Sequence, residues 1–142
     1  MLINIFLSIY EGTTQLQVVA ALRYIINGTY LSIIKEMLEA EVADDLKALK
    51  ARVAAMTALY EEVLAEVKAE DNAEKTDYVL RRLYEMTADI IMSLLILDDA
   101  TRAPELFAKS AQVYVRHAEA ECNSHYTFIK NFKAEDLDAY RQ

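Results

Sequence analysis

Apolar positions along most of this chain recur at intervals of three and four. Leu46, Leu49, Val53, Met56, Tyr60, Val63 and Val67 form one such stripe, with Lys, Arg and Glu opposite, as on an amphipathic helix. A second stripe runs through Val79/Leu80, Leu83, Met86/Thr87, Ile90/Ile91, Leu94 and Leu97. Its stretch Ile90 to Leu97 is apolar almost all round, which predicts a helix buried on more than one side. Upstream, Val18, Val19, Leu22, Ile25 and Ile26 follow Thr14-Gln15-Leu16-Gln17, the spacing of a capping box. Asn27-Gly28 is the one internal breaker, and it predicts a kink or short break before Tyr30 to Leu38. Downstream, Phe107, Val113, Tyr114, Ala118, Tyr126 and Ile129 predict a last helix from Pro104 to about Phe132. A first-turn proline suits its start.

The boundaries between these segments are fixed by phase and by caps. The stripe slips between Leu38 and Leu46, and Asp44-Asp45 suit a helix N-terminus through the macrodipole, so a turn is expected near residues 40–44. One helix from 29 to 69 would be about 60 Å long at about 1.5 Å per residue, too long for a domain of this size. Asp71-Asn72-Ala73-Glu74 has the spacing of a second capping box and opens the third segment. The polar tail, Lys133 to Gln142, reads as a loosely held turn of helix. Short connections force neighbouring helices to alternate in direction. The expected fold is therefore all-α, an antiparallel up-down four-helix bundle with an N-terminal extension.

Composition supports this and trims the alternatives. The 142 residues are 54% apolar, with two Gly and one Pro, against about 45–50% apolar in an average domain. So few turn-formers exclude a disordered tail and a many-turned β-sandwich. Acidic residues number 23 against 15 basic ones, a net charge of −8, so neither nucleic acid nor an anionic membrane surface is an expected partner. No run reaches the roughly 18 apolar residues of a membrane helix. A single Cys122 forms no intrachain disulfide and suits a reducing, cytoplasmic setting. The apolar N-terminus, with Leu2, Ile3, Ile5, Phe6, Leu7 and Ile9, lacks a basic region and a cleavage site. It is expected to pack on the bundle or on a second copy, which makes a homo-oligomer the expected state.

The chemistry-bearing stretch precedes the first helix. Tyr10-Glu11-Gly12-Thr13-Thr14-Gln15 sets one carboxylate beside a glycine and a cluster of helix N-terminal N–H groups. A carboxylate partly withdrawn from water makes a base of raised pKa, and Gly12 lets a ligand come close. The N–H groups of Thr13 to Gln15 suit a phosphate or a carbonyl oxygen. The same residues also read as an ordinary loop with an exposed Glu and a capping Thr.

The string Tyr10-Glu11-Gly12-Thr13-Thr14-Gln15-Leu16-Gln17, continued by Val18 to Tyr24, resembles the signature of the acyl-CoA dehydrogenases near the end of their catalytic portion. Arg81 to Met86 and Ile90 to Met92 look like the extra C-terminal helical region of the long bacterial members. The resemblance implies an FAD-dependent oxidoreductase acting on acyl-CoA thioesters and passing electrons to an electron-transfer flavoprotein. It makes Glu11 the catalytic base for the α proton, Gly12 a substrate-binding position, and Thr13, Thr14 and Gln15 cofactor-binding positions. It also implies a division into residues 1–28, the end of the catalytic helical domain, and residues 29–142, the C-terminal bundle region, packed as one unit. The family's other flavin-binding and acyl-binding domains have no counterpart here, so the chain alone is expected to be inactive and to bind no FAD. The competing reading is a non-catalytic four-helix module for oligomerisation or protein interaction.

Other candidates are weaker. His117, Glu121 and His125 share one helix face, but only this helix carries His, so no metal site is expected. Asp89, on the most apolar helix, would if buried be functional or paired with Arg81, Arg82 or Arg116, and the simpler expectation is a boundary position facing solvent or an Arg. Cys122 and the tyrosines at 24, 30, 60, 78, 84, 114 and 126 read as packing residues.

Overall fold

The computed structural model describes the backbone of residues 13–141 and the side chains of residues 20–141. Among them are α1 (Thr13–Ile26), α2 (Thr29–Leu38), α3 (Lys47–Ala69), α4 (Ala73–Arg102) and α5 (Pro104–Asn131), with 3-10 turns at Asp44–Leu46 and Ala134–Tyr140 and no strand. The expected all-α class is observed. The architecture is compatible with a four-helix bundle in which α1 and α2 together stand in for one helix.

Each break in the chain has a local cause. Gly28 takes φ 83°, a left-handed conformation that a side chain disfavours, and so ends the first run. The Asn27 side chain, one residue before the N-cap Gly28, then accepts from the Thr29 N–H at 3.0 Å and so satisfies one free donor of the first turn of α2. Helix α4 is capped by Asn72, whose Oδ1 accepts from Lys75 N at 3.0 Å. The expected start at Asp71 moves by one residue: the N-cap is Asn72, whose backbone is extended, and because the third residue beyond it is Lys75 rather than Glu or Gln it is a single cap, not a box. Between α4 and α5 there is a single residue, Ala103, and Pro104 occupies the first turn of α5.

The core is built from the predicted stripes. Val53, Met56, Tyr60 and Val63 of α3 and Leu83, Met86, Ile90 and Leu97 of α4 are buried in one hydrophobic cluster. Helix α5 presents buried small residues, Ala111, Ala118 and Cys122, along with Val115 and Ile129, so its backbone comes close to the bulky face of α4. Contacts between α4 and α5 pair falling numbers with rising ones: Tyr78 with Phe132, Arg82 with Phe128 and Glu85 with His125. Between α3 and α5 the numbers rise together, Arg52 with Glu119 and Glu62 with Lys130. The apolar stretch of α4 is not buried all round, since Met92 and Leu95 remain about half exposed at 51% and 46%.

The tail departs from expectation. Leu137 is buried, Tyr140 packs on Tyr78 with ring centroids 5.1 Å apart, and Arg141 pairs with Glu74 at 2.6 Å. It is docked on the base of α4 because Tyr78, Phe128 and Phe132 form an aromatic stack there that the final turn covers.

Candidate functional site

Glu11 and Gly12 lie outside the described residues. Thr13, Thr14 and Gln15 form the first turn of α1, with their side chains likewise outside the described set. That helix packs through Ala21 and Ile25 beside Tyr30 of α2 and Tyr84, Thr87 and Ile91 of α4.

The polar cluster in the described residues lies on the seam of α4 and α5. Arg82, Glu85 and Asp89 recur at three and four residues along one face of α4, opposite Glu121, Cys122 and His125 of α5. His125 is buried, with its Nε2 3.0 Å from Glu85 and 3.9 Å from Glu121. Its Nδ1 lies 3.4 Å from the Arg82 guanidinium. Arg has only donors, so in the tautomer with its proton on Nε2 His125 donates to Glu85 and turns Nδ1 to the Arg82 guanidinium. The Arg82 guanidinium in turn sits 3.5 Å from the Phe128 ring centroid, a cation–π contact that orients it. The other Glu85 oxygen takes Arg81 at 3.3 Å. These bonds, His125 foremost, hold the Glu85 carboxyl below its usual range.

Asp89 behaves differently. Its side chain makes no hydrogen bond or ion pair among the described residues, so the expected arginine partner is absent. Arg81 is taken by Glu85, and Arg82 is turned to His125 and Phe128. Burial therefore dominates and pushes the Asp89 carboxyl up to about 6, with His125 opposing and Glu121 reinforcing. Burial, with Asp89 nearby, likewise pushes Tyr114 and Cys122 to about 12. A thiol held protonated is no nucleophile, which agrees with a packing role for Cys122. His117 is exposed and lies beside the Tyr114 ring rather than with His125. Among the described residues no group of three His, Cys, Asp or Glu side chains is placed to hold a metal ion. The seam can store or exchange a proton; it has no activated nucleophile. Glu85 and Arg82 were not foreseen as partners of His125, and their shared spacing with Asp89 on α4 was the available signal.

Residues 26–137 match the family described as acyl-CoA dehydrogenase, C terminal. The chain is also similar to a solved structure, an acyl-CoA dehydrogenase family protein from Porphyromonas gingivalis, at 34% identity and a TM-score of 0.74. That similarity covers 80% of this chain and 98% of the other. None of the curated proteins matches.

Proposed function

Because the chain belongs to the acyl-CoA dehydrogenase C-terminal family, we propose that it is the C-terminal portion of a flavin-dependent acyl-CoA dehydrogenase. In this reading Glu11 removes the α proton of an acyl-CoA thioester, and its backbone N–H meets the thioester oxygen where enolate charge develops. Gly12 gives the thioester room, and Thr13, Thr14 and Gln15 face the cofactor. The observation that carries the reading is the family match over residues 26–137, which begins just behind the Tyr10–Gln17 motif in the same chain. Residues 1–28 then belong with the catalytic part, and residues 29–142 form the appended up-down bundle. An electron-transfer flavoprotein as electron acceptor and assembly into a homo-oligomer belong to the same proposal.

Two clefts among the described residues are poorly suited to FAD. The cleft of about 390 Å³ at the α3–α4 turn is lined by Glu66, Glu70 and Asp71, which would repel a diphosphate. Its one cation, Lys75, is already tied to Glu70 at 2.7 Å. A cleft of about 260 Å³ between α1, α2 and α4 is lined chiefly by Ala21, Ile25, Ile91 and Met92 and by the rings of Tyr30 and Tyr84. Neither offers the run of backbone donors that a dinucleotide needs. The 142-residue chain, purified and incubated with FAD and then desalted, is expected to show no flavin absorption band and no turnover of acyl-CoA with a dye acceptor. A retained band or measurable turnover would show that this chain holds the cofactor by itself.

No helix among the described residues is long and apolar enough to cross a membrane.

A further inference from the structure

We propose that His125 is a proton-operated switch on the α4–α5 seam. Neutral, its ring is shared between Glu85 and Arg82; with a second proton bound, it releases Arg82 and is held by Glu85 and Glu121. The two ring nitrogens face opposite charges. Nε2 lies 3.0 Å from Glu85 and 3.9 Å from Glu121, whereas Nδ1 lies 3.4 Å from the Arg82 guanidinium. His125 is buried, but the side chains of Glu85 and Glu121 beside it are 41% and 49% exposed. Solvent, the source of the proton, therefore stands next to the buried ring.

The exchange follows from what each group can donate and accept. Arg82 only donates, so it bonds Nδ1 only while that nitrogen keeps its lone pair. A proton on Nδ1 would set one N–H against another and one positive charge against another. Arg82 and the second proton are thus alternative occupants of one lone pair. On the other side of the ring, two carboxylates favour the positive charge. Hydrogen bonds, that from His125 foremost, hold the Glu85 carboxyl below its usual range, so Glu85 stays ionised where imidazoles titrate, between about pH 5 and 8. Arg82 has a second hold, since its guanidinium carbon sits 3.5 Å from the centroid of the Phe128 ring. Release is therefore a turn of the guanidinium against that ring, not its departure from the seam.

Among the described residues no other charged group claims the imidazole. From α4, Arg81 is bonded to Glu85, and Asp89, one turn further on, feels the His125 charge. On α5 itself, His117 lies against Tyr114. The charged groups that α3 turns towards α5 are paired elsewhere, Arg52 with Glu119 and Glu62 and Glu66 with Lys130. Helices α1 and α2 meet α4 through Ala21, Ile25 and Tyr30, and in the final turn Arg141 is bound to Glu74 and Asp138. The neutral ring links α4 to α5 through both nitrogens. The charged ring keeps only its Glu85 link across the seam, because Glu121 belongs to its own helix. Proton concentration thereby sets how many bonds tie this part of α5 to α4.

Nitrogen NMR of the imidazole and guanidinium groups in the 142-residue chain reads the switch. At about pH 8, the His125 ring is expected to carry its proton on Nε2 with a bare Nδ1, and the Arg82 Nη groups to give separate signals because their rotation is hindered. On lowering the pH to about 5, Nδ1 should gain its proton, and the separate Arg82 signals should be lost with the same midpoint. In His125→Gln, which keeps a donor and an acceptor but does not titrate, the Arg82 signals should stay unchanged over that range. A proton on Nδ1 at the upper pH, a ring still neutral at the lower one, or Arg82 signals that do not follow the ring overturns the proposal. Arg82 signals that still change with pH in His125→Gln overturn it as well, and the wild-type titration decides alone if that variant does not fold.

Discussion

Glu11→Gln, placed in an acyl-CoA dehydrogenase whose C-terminus is this chain, is expected to slow exchange of the substrate α proton with solvent by about 10²- to 10⁴-fold. Glutamine keeps the size and the backbone N–H of position 11 but cannot accept a proton. Acyl-CoA affinity should change little, because the thioester oxygen is met by backbone rather than by the lost carboxylate. The measurement is deuterium wash-in at the α carbon, followed by mass spectrometry, with flavin content checked in parallel. Wash-in at the wild-type rate would remove Glu11 from the base position while leaving family membership untouched.

Thr87→Val is expected to lower the unfolding free energy by about 1–3 kcal/mol, through one buried hydroxyl. Thr87 Oγ1 lies 2.9 Å from Leu83 O and 3.0 Å from Tyr60 Oη, and Tyr60 is wholly buried. The threonine has one proton, which goes to the Leu83 carbonyl, and its lone pair then accepts the Tyr60 O–H. Valine keeps the shape and deletes that acceptor, so the tyrosine proton is left buried without a partner. In a Tyr60→Phe background the same Thr87→Val change should cost much less, because no orphan remains. Denaturant unfolding of the four proteins gives the coupling. Equal costs in both backgrounds would mean that the pair is not bonded as drawn.

Both predictions rest on features of unequal legibility. The stripe from Leu46 to Val67 was readable because every member lies three or four residues from the next, and each of those named is buried. The break at Gly28 and the start at Pro104 were readable because glycine alone enters the left-handed region freely and proline fixes its own φ. Pairings across helices were not. Whether His125 meets Glu85 or a metal depends on how α4 and α5 slide past each other, which small residues such as Ala118 and Cys122 settle by letting the helices approach. The tail looked loose because its partners, Tyr78 and Glu74, lie more than sixty residues earlier. Asp89 looked pairable because three arginines are near it in sequence or on the facing helix. Two of them are claimed by neighbours, and Arg116 forms no ion pair among the described residues. Of the candidate site, Thr13 to Gln15 are seen as the first turn of α1, and Glu11 and Gly12 lie beyond the described residues.

The central claim is that this chain continues a flavoenzyme whose base is Glu11. The DNA immediately upstream of the Met1 codon tests it most directly. The account predicts an open frame running in phase into Met1 and encoding flavin-binding and acyl-binding domains. A promoter and ribosome-binding site directly before Met1, with no such frame, would contradict it and favour the stand-alone interaction module.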